Sequence, residues 1–132
     1  MLDLVNTSVF VDFDGTISTA DVAQHVLERH GAPAWRDLAA AYDRGVIGSR
    51  ECTVDQWALV DATEAELRAT ASEVPLDPGF DALVATLREA GAEVTVVSDG
   101  FGFYVEPACA PFGVDVPYER FATLADVTVR VR

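Results

Sequence analysis

Reactive residue types are concentrated in Ser8-Val9-Phe10-Val11-Asp12-Phe13-Asp14-Gly15-Thr16, where an apolar run ends in two carboxylates, a glycine and a threonine. Two carboxylates about 4 Å apart repel by roughly 4 kcal/mol at an effective dielectric near 20. Placing Asp12 and Asp14 together at the mouth of a buried strand therefore calls for a bound cation or a shared proton. A carboxylate can also attack phosphorus and form an acyl-phosphate, which splits one hard step into two. Side chains alternate along an extended segment, so Asp14 can reach the side of the chain that Asp12 occupies. Gly15 permits a tight turn, and Thr16 can donate to a phosphate or cap the next element. An Asp-Gly turn after a strand is common by itself. The whole Asp-x-Asp-Gly-Thr pattern behind an apolar strand is far rarer.

The elements that must position these groups follow from periodicity. Ser8 to Phe13 alternate too little for a half-exposed strand and are expected to be buried on both faces of a mostly parallel sheet. Residues 17–74 read as four short helices. Asp21 to His30 carries Val22, Val26 and Leu27 on one face and stops at Gly31, and Ala34 to Arg44 ends at Gly45. A third starts at Ser49 and buries Val54, Trp57 and Ala58, and the fourth opens on Thr63 with Glu66 three residues on, a capping-box signature. Asp77 is expected to cap a helix with Pro78 in its first position, followed by the stripe Phe80, Leu83, Val84, Leu87 and a stop at Gly91. Val94 to Val97 forms a second buried strand, ending in Ser98-Asp99-Gly100. A strand, a helical excursion and a second strand imply a right-handed parallel crossover, whose ligand site lies at the strands' carboxyl ends. Asp12, Asp14 and Ser98 converge there, and the Asp99 and Gly100 amides lead into the next helix as an anion site. Asp99 itself reads as a helix cap. Val114 to Tyr118 and Val127 to Val131 are expected as a third strand and a hairpin strand.

The first segment resembles motif I of the haloacid dehalogenase superfamily of phosphotransferases. The resemblance implies that Asp12 is the nucleophile that takes the phosphoryl group, that Asp14 is the acid/base for the leaving group, and that Mg²⁺ sits beside them. Ser98 resembles the motif II hydroxyl that holds a phosphoryl oxygen. The branch is similar to phosphoserine phosphatases: Asp21 stands where they carry a glutamate that helps recognise substrate. Gly45-Val46-Ile47-Gly48-Ser49-Arg50-Glu51 resembles a cap segment whose arginine faces the substrate, although Arg50 reads equally well as a solvated charge at a helix start. Ser98-Asp99-Gly100-Phe101 and Phe103-Tyr104-Val105 resemble the 2-hydroxy-3-keto-5-methylthiopentenyl-1-phosphate phosphatases. Asp in place of Glu at position 21 sets this chain apart from enzymes for phosphoserine itself.

The resemblance implies an α/β fold: an incomplete Rossmann-like (HAD-like) parallel sheet with a helical cap inserted after the first strand. Residues 1–17 and 75–132 make the partial core and 18–74 the cap. Motif III would supply a lysine, and the sequence has none, since all nine basic residues are arginine. The Gly-Asp-x-x-x-Asp strand end of motif IV is also missing, so the chain is expected to be the N-terminal part of a longer protein or the product of a truncated gene. By itself it should be poorly active and prone to self-associate through the bare edge of its first strand, Val9 to Phe13.

Composition bounds the alternatives. With 132 residues, half of them hydrophobic, the chain can form one modest domain with a real core. A formal charge of −13 repels nucleic acid and anionic membranes. Cys52 and Cys109 are too few for a disulfide scaffold and lack metal-ligand spacing. With no leader and no long apolar run, the expected compartment is the cytoplasm. The expected activity is Mg²⁺-dependent hydrolysis of a small phosphorylated metabolite through an aspartyl-phosphate. The alternative is a non-catalytic relative that binds such a metabolite or a partner chain. A receiver domain shares an acidic pocket, but the roughly 80 residues between the first two strands argue against its regular βα alternation.

Overall fold

The computed structural model describes residues 2–116 and 130–131. Strand β1 (Ser8–Asp12) pairs in parallel with β3 (Glu93–Val97), with Val9 opposite Val94, Val11 opposite Val96 and Asp12 opposite Val97. Between them come helices α1 (Val22–His30), α2 (Trp35–Asp43) and α3 (Ser49–Trp57), the two-residue strand β2 (Asp61–Ala62), and helices α4 (Glu64–Ser72) and α5 (Phe80–Glu89). Helix α6 (Gly102–Cys109) follows β3, and β4 (Arg130–Val131) pairs in parallel with β2. The mixed architecture and the parallel β1–β3 pair are those expected from the sequence.

The pleat decides what is buried. Val11, Val94 and Val96 face the core formed with Phe80 and Val84 of α5, and Val9 packs partly against it. On the opposite face Phe10 is 66 % exposed and Val97 39 % exposed. The expectation of a strand buried on both faces is therefore corrected. Among the described residues an apolar layer covers only one face, so an apolar run need not mean two covered faces. Among the described residues β1 pairs only with β3, so its other edge has no partner strand, and of the apolar side chains Val9 to Phe13 only Phe10 is exposed.

The four inserted helices form as expected, though α2 and α3 have no side-chain cap, and in the third Trp57 is buried, Val54 half-buried and Ala58, just past its end, exposed instead of buried. Asp21 caps α1 through the Gln24 N–H, and α4 carries the full reciprocal capping box between Thr63 and Glu66. Val26, Trp57, Val60 and Leu67 are almost fully buried, and the Trp57 ring lies 4.3 Å from that of Phe101 just before α6. Arg68 of α4 donates to the Phe103 carbonyl at 3.2 Å, a second tie between the inserted helices and the segment after β3. Helix α5 starts later than expected, at Phe80. Asp77 accepts the Gly79 N–H with its side chain and the Phe80 N–H with its carbonyl, which keeps Pro78 in a turn ahead of the helix. At Gly91, with φ of 94°, the chain reverses hard against Val5.

Of the expected third strand, residues 117–118 lie outside the described residues. Within the remainder, Asp115 forms a single parallel bridge to Thr95. Of the hairpin strand, residues 127–129 lie outside the described residues, and Arg130–Val131 pair in parallel with β2. Both cysteines are free and buried, and burial pushes the Cys109 thiol up to about 11.

Candidate active site

Beyond Asp12 the chain makes one wide helical turn, Phe13–Ile17, closed by the Ser18 N–H donating to the Phe13 carbonyl at 3.0 Å. Gly15 sits at φ 74°, a left-handed conformation that a side chain would strain. Ser18, fully buried, is the brace. Its hydroxyl accepts the Gly15 N–H at 3.1 Å and donates to the Ala20 carbonyl at 2.7 Å. A buried hydroxyl with both functions satisfied rigidifies its surroundings.

This turn delivers Asp14 to the start of α1. Its Oδ1 accepts the Val22 N–H at 2.8 Å, and its Oδ2 accepts the Tyr104 hydroxyl at 2.9 Å, with the Ser98 hydroxyl farther off at 3.4 Å. Burial pushes the Asp14 carboxyl up to about 6, and the neighbouring Asp21 and Asp99 charges add to the rise. The Val22 amide and Tyr104 hydroxyl oppose it. Burial and the adjacent Asp14 charge hold the Tyr104 phenol far above its ordinary range, so it serves as a neutral donor. Ser98 is buried at the end of β3 and its oxygen accepts the Gly100 N–H at 2.9 Å.

Asp12 ends β1 opposite Val97, with an exposed side chain whose Oδ1 accepts the Phe13 N–H at 2.8 Å. The strand register thus puts Asp12 and Ser98 at the same edge of the sheet. Asp14, Asp21, Asp99 and Gly100 line one cavity of about 350 Å³ roofed by Trp35, Tyr42 and Trp57. Asp21 reaches it while still capping α1. Two other expected site residues lie elsewhere. Thr16 is exposed and lines a shallow depression with Val11 and Phe80, and Arg50 is exposed beside Glu51 and Asp55 in a separate one. The Asp99 side chain lines the cavity, and α6 begins three residues later, after Phe101, without a side-chain cap.

Neither Tyr104, which enters the sequence reading only within the segment Phe103-Tyr104-Val105, nor Ser18 is an expected site residue. Tyr104 stands among Phe101, Phe103 and Val105, where an aromatic reads as core, and Ser18 has no neighbour in sequence that announces its burial.

Among the described residues no three His, Cys, Asp or Glu side chains come close enough to hold a metal ion together. The donor chemistry of Asp12 nevertheless suits a hard cation. Mg²⁺ is commonly held by one or two carboxylates together with substrate phosphate, and Oδ1 of Asp12 has a local partner while its side chain is open to solvent. No helix among the described residues is long and apolar enough to cross a membrane.

Residues 9–127 match the family model described as haloacid dehalogenase-like hydrolase. A 2-hydroxy-3-keto-5-methylthiopentenyl-1-phosphate phosphatase of Brevibacillus brevis is 30 % identical over 112 residues, covering 83 % of this chain and 50 % of that protein. A phosphoserine phosphatase of Archaeoglobus fulgidus is 28 % identical over 112 residues, covering 83 % of this chain and 33 % of the relative. The chain thus spans half or less of these relatives. In fold it resembles a HAD family hydrolase from Salmonella enterica serovar Typhi, with TM-score 0.77 at 15 % identity over 92 % of this chain and 41 % of that one. A phosphoserine phosphatase solved as a phospho-aspartyl intermediate analogue gives TM-score 0.72 at 15 % identity, covering 93 % of this chain and 56 % of the other.

Proposed function

Since the chain belongs to the haloacid dehalogenase-like hydrolases, we propose that its gene product hydrolyses small-molecule phosphate monoesters, with Asp12 as nucleophile and Asp14 as acid/base. The observation that carries this reading is the unequal treatment of two carboxylates two residues apart. Asp12 is exposed with one short local hydrogen bond, as an attacking group needs. Asp14 is half-buried, held by donors on both oxygens, and raised to about 6, where one group can both give and take a proton near neutrality.

In the first step Asp12 attacks phosphorus, the P–O bond to the leaving group breaks, and Asp14 gives that oxygen a proton. In the second, water attacks phosphorus as Asp14 takes its proton, the P–O bond to Asp12 breaks, and inorganic phosphate leaves with the Asp12 carboxylate restored. Mg²⁺, held by Asp12 with Asp14 nearby, would neutralise phosphate charge in this acidic setting. Ser98 stands at the strand end where a hydroxyl can hold a phosphoryl oxygen, close to the Asp99 and Gly100 backbone. The cavity under Trp35, Tyr42 and Trp57 takes the leaving group, with Asp21 on its wall. Thr16 and Arg50 contribute only if they move from where they now lie.

Phosphoryl transfer depends chiefly on positioning and charge neutralisation, and no cationic side chain lines the described cavity. That observation favours a second reading, in which the protein binds a phosphorylated metabolite or a partner chain without turnover. One experiment separates the two. The full-length gene product, incubated with Mg²⁺ and beryllofluoride or quenched during reaction with a phosphate monoester, should carry its adduct on Asp12 by mass spectrometry. An adduct on another residue overturns the assignment, and binding of the ester without any adduct selects the second reading.

A further inference from the structure

The acid/base assigned to Asp14 needs one oxygen kept free of permanent donors and aimed at the leaving group. Oδ1 does not meet that need, because its partner is the Val22 amide at 2.8 Å, which can only donate. Oδ2 meets only hydroxyls, Tyr104 at 2.9 Å and Ser98 at 3.4 Å, and a hydroxyl can accept as well as donate. We propose that Tyr104 is a positioning residue for this reaction: its hydroxyl fixes Oδ2 of Asp14 as the oxygen that exchanges the proton with the leaving group and with water. This rests on the phosphatase reading above and deepens it.

Three features make the contact a built one. Tyr104 is 5 % exposed, and its ring packs at 5.9 Å from Phe13, the residue before Asp14, and at 5.3 Å from Phe103. The ring is therefore held between the turn and a neighbour on its own helix. The hydroxyl reaches Asp14 only because residue 100 has no side chain: a Cβ at Gly100 would collide with the Tyr104 oxygen and lie 2.8 Å from Asp14 Oδ2. Finally, Asp14, Gly100 and Tyr104 all border the cavity assigned to the leaving group. Tyr104 keeps its own proton throughout. The proton delivered to the leaving oxygen comes from Oδ2, and the one taken from water returns there.

A merely structural tyrosine would affect all substrates alike, so the test is leaving-group dependence in the full-length gene product. Tyr104→Phe keeps the ring and removes the hydroxyl. Misplacing a reacting group can cost on the order of 10²-fold. Tyr104→Phe should accordingly lower kcat for an alkyl phosphate about 10- to 100-fold with KM changed less than about twofold. For p-nitrophenyl phosphate, whose leaving group needs no proton, the loss should stay under about threefold. Gly100→Ala, whose Cβ would collide with the Tyr104 hydroxyl and ring and crowd Asp14 Oδ2, should still lose more with the alkyl ester than with p-nitrophenyl phosphate if Tyr104→Phe folds poorly. Adding Tyr104→Phe to Asp14→Asn should cost nothing further. Equal losses for both esters, or no loss for either, overturn the role of Tyr104 while leaving the phosphatase reading standing. An inactive wild type overturns both.

Discussion

In the turn Phe13–Ile17 the Gly15 amide, the Phe13 carbonyl and both oxygens of Asp14 all have partners inside the molecule. Three residues upstream, on β1, Phe10 stands 66 % exposed with Val97 beside it on the same bare face. One stretch of chain is thus held tightly at its reactive end and half covered along its strand. The contrast shows that the turn does not take its shape from the sheet beneath it. Side chain-to-backbone bonds from Ser18 and the first turn of α1 hold it locally, and Tyr104 adds one strut from across the cavity.

The largest expected effect tests whether the reactive end works at all. Asp12→Asn in the full-length gene product should lower turnover of any phosphate monoester by about 10³-fold or more while leaving the melting temperature nearly unchanged, since Asp12 is exposed. Retained turnover would remove Asp12 from the chemistry.

Next comes the brace. Ser18→Ala strips the Gly15 amide and Ala20 carbonyl of their partner in a fully buried position. It should cost about 1–3 kcal/mol of stability in denaturant titration. A loss below about 0.5 kcal/mol, the range of ordinary surface changes, would mean that the sheet shapes the turn after all.

A smaller, pH-dependent effect reports on Asp14. Its carboxyl rises from 3.8 to about 6 on folding, so the folded chain binds the proton more tightly than the unfolded one. The stabilisation is fully present below about 3.8 and is lost as pH rises through about 6. Melting temperatures taken with a chelator present should show Asp14→Asn gaining on wild type by a few degrees across that interval. Asp14→Asn losing ground to wild type as pH rises would contradict the burial argument.

The smallest effect belongs to the bare face. Phe10→Lys should change stability by no more than about 0.5 kcal/mol and should lower any concentration-dependent self-association seen by sedimentation, because an exposed apolar strand face invites pairing. A large destabilisation would show that Phe10 is covered in solution.

What was legible in the sequence was what is decided locally. The Thr63–Glu66 capping box and the stripe on α5 are written in residues three or four apart; the box formed, and of the stripe Phe80 and Val84 are buried and Leu87 half-buried while Leu83 stays exposed. Both long strands were visible from apolar runs, whereas β2 is too short to show a period. The Asp12–Asp14 pattern placed the site at a strand end. The partner that completes the Asp14 environment lies 90 positions away, and its aromatic neighbours disguise it as core. Covering of a strand is also non-local, which is why Phe10 was misread.

The bare Cα of Gly100 has a consequence for descent. The space that a side chain would fill is taken by the Tyr104 hydroxyl, four residues later on α6. Neither position can drift alone: any larger residue at 100 evicts the phenol, and losing the phenol removes the reason for glycine. Lineages of this branch should therefore inherit the two as a pair, Gly with Tyr or neither, and a sequence that breaks the pairing should hold its acid carboxylate by some other donor.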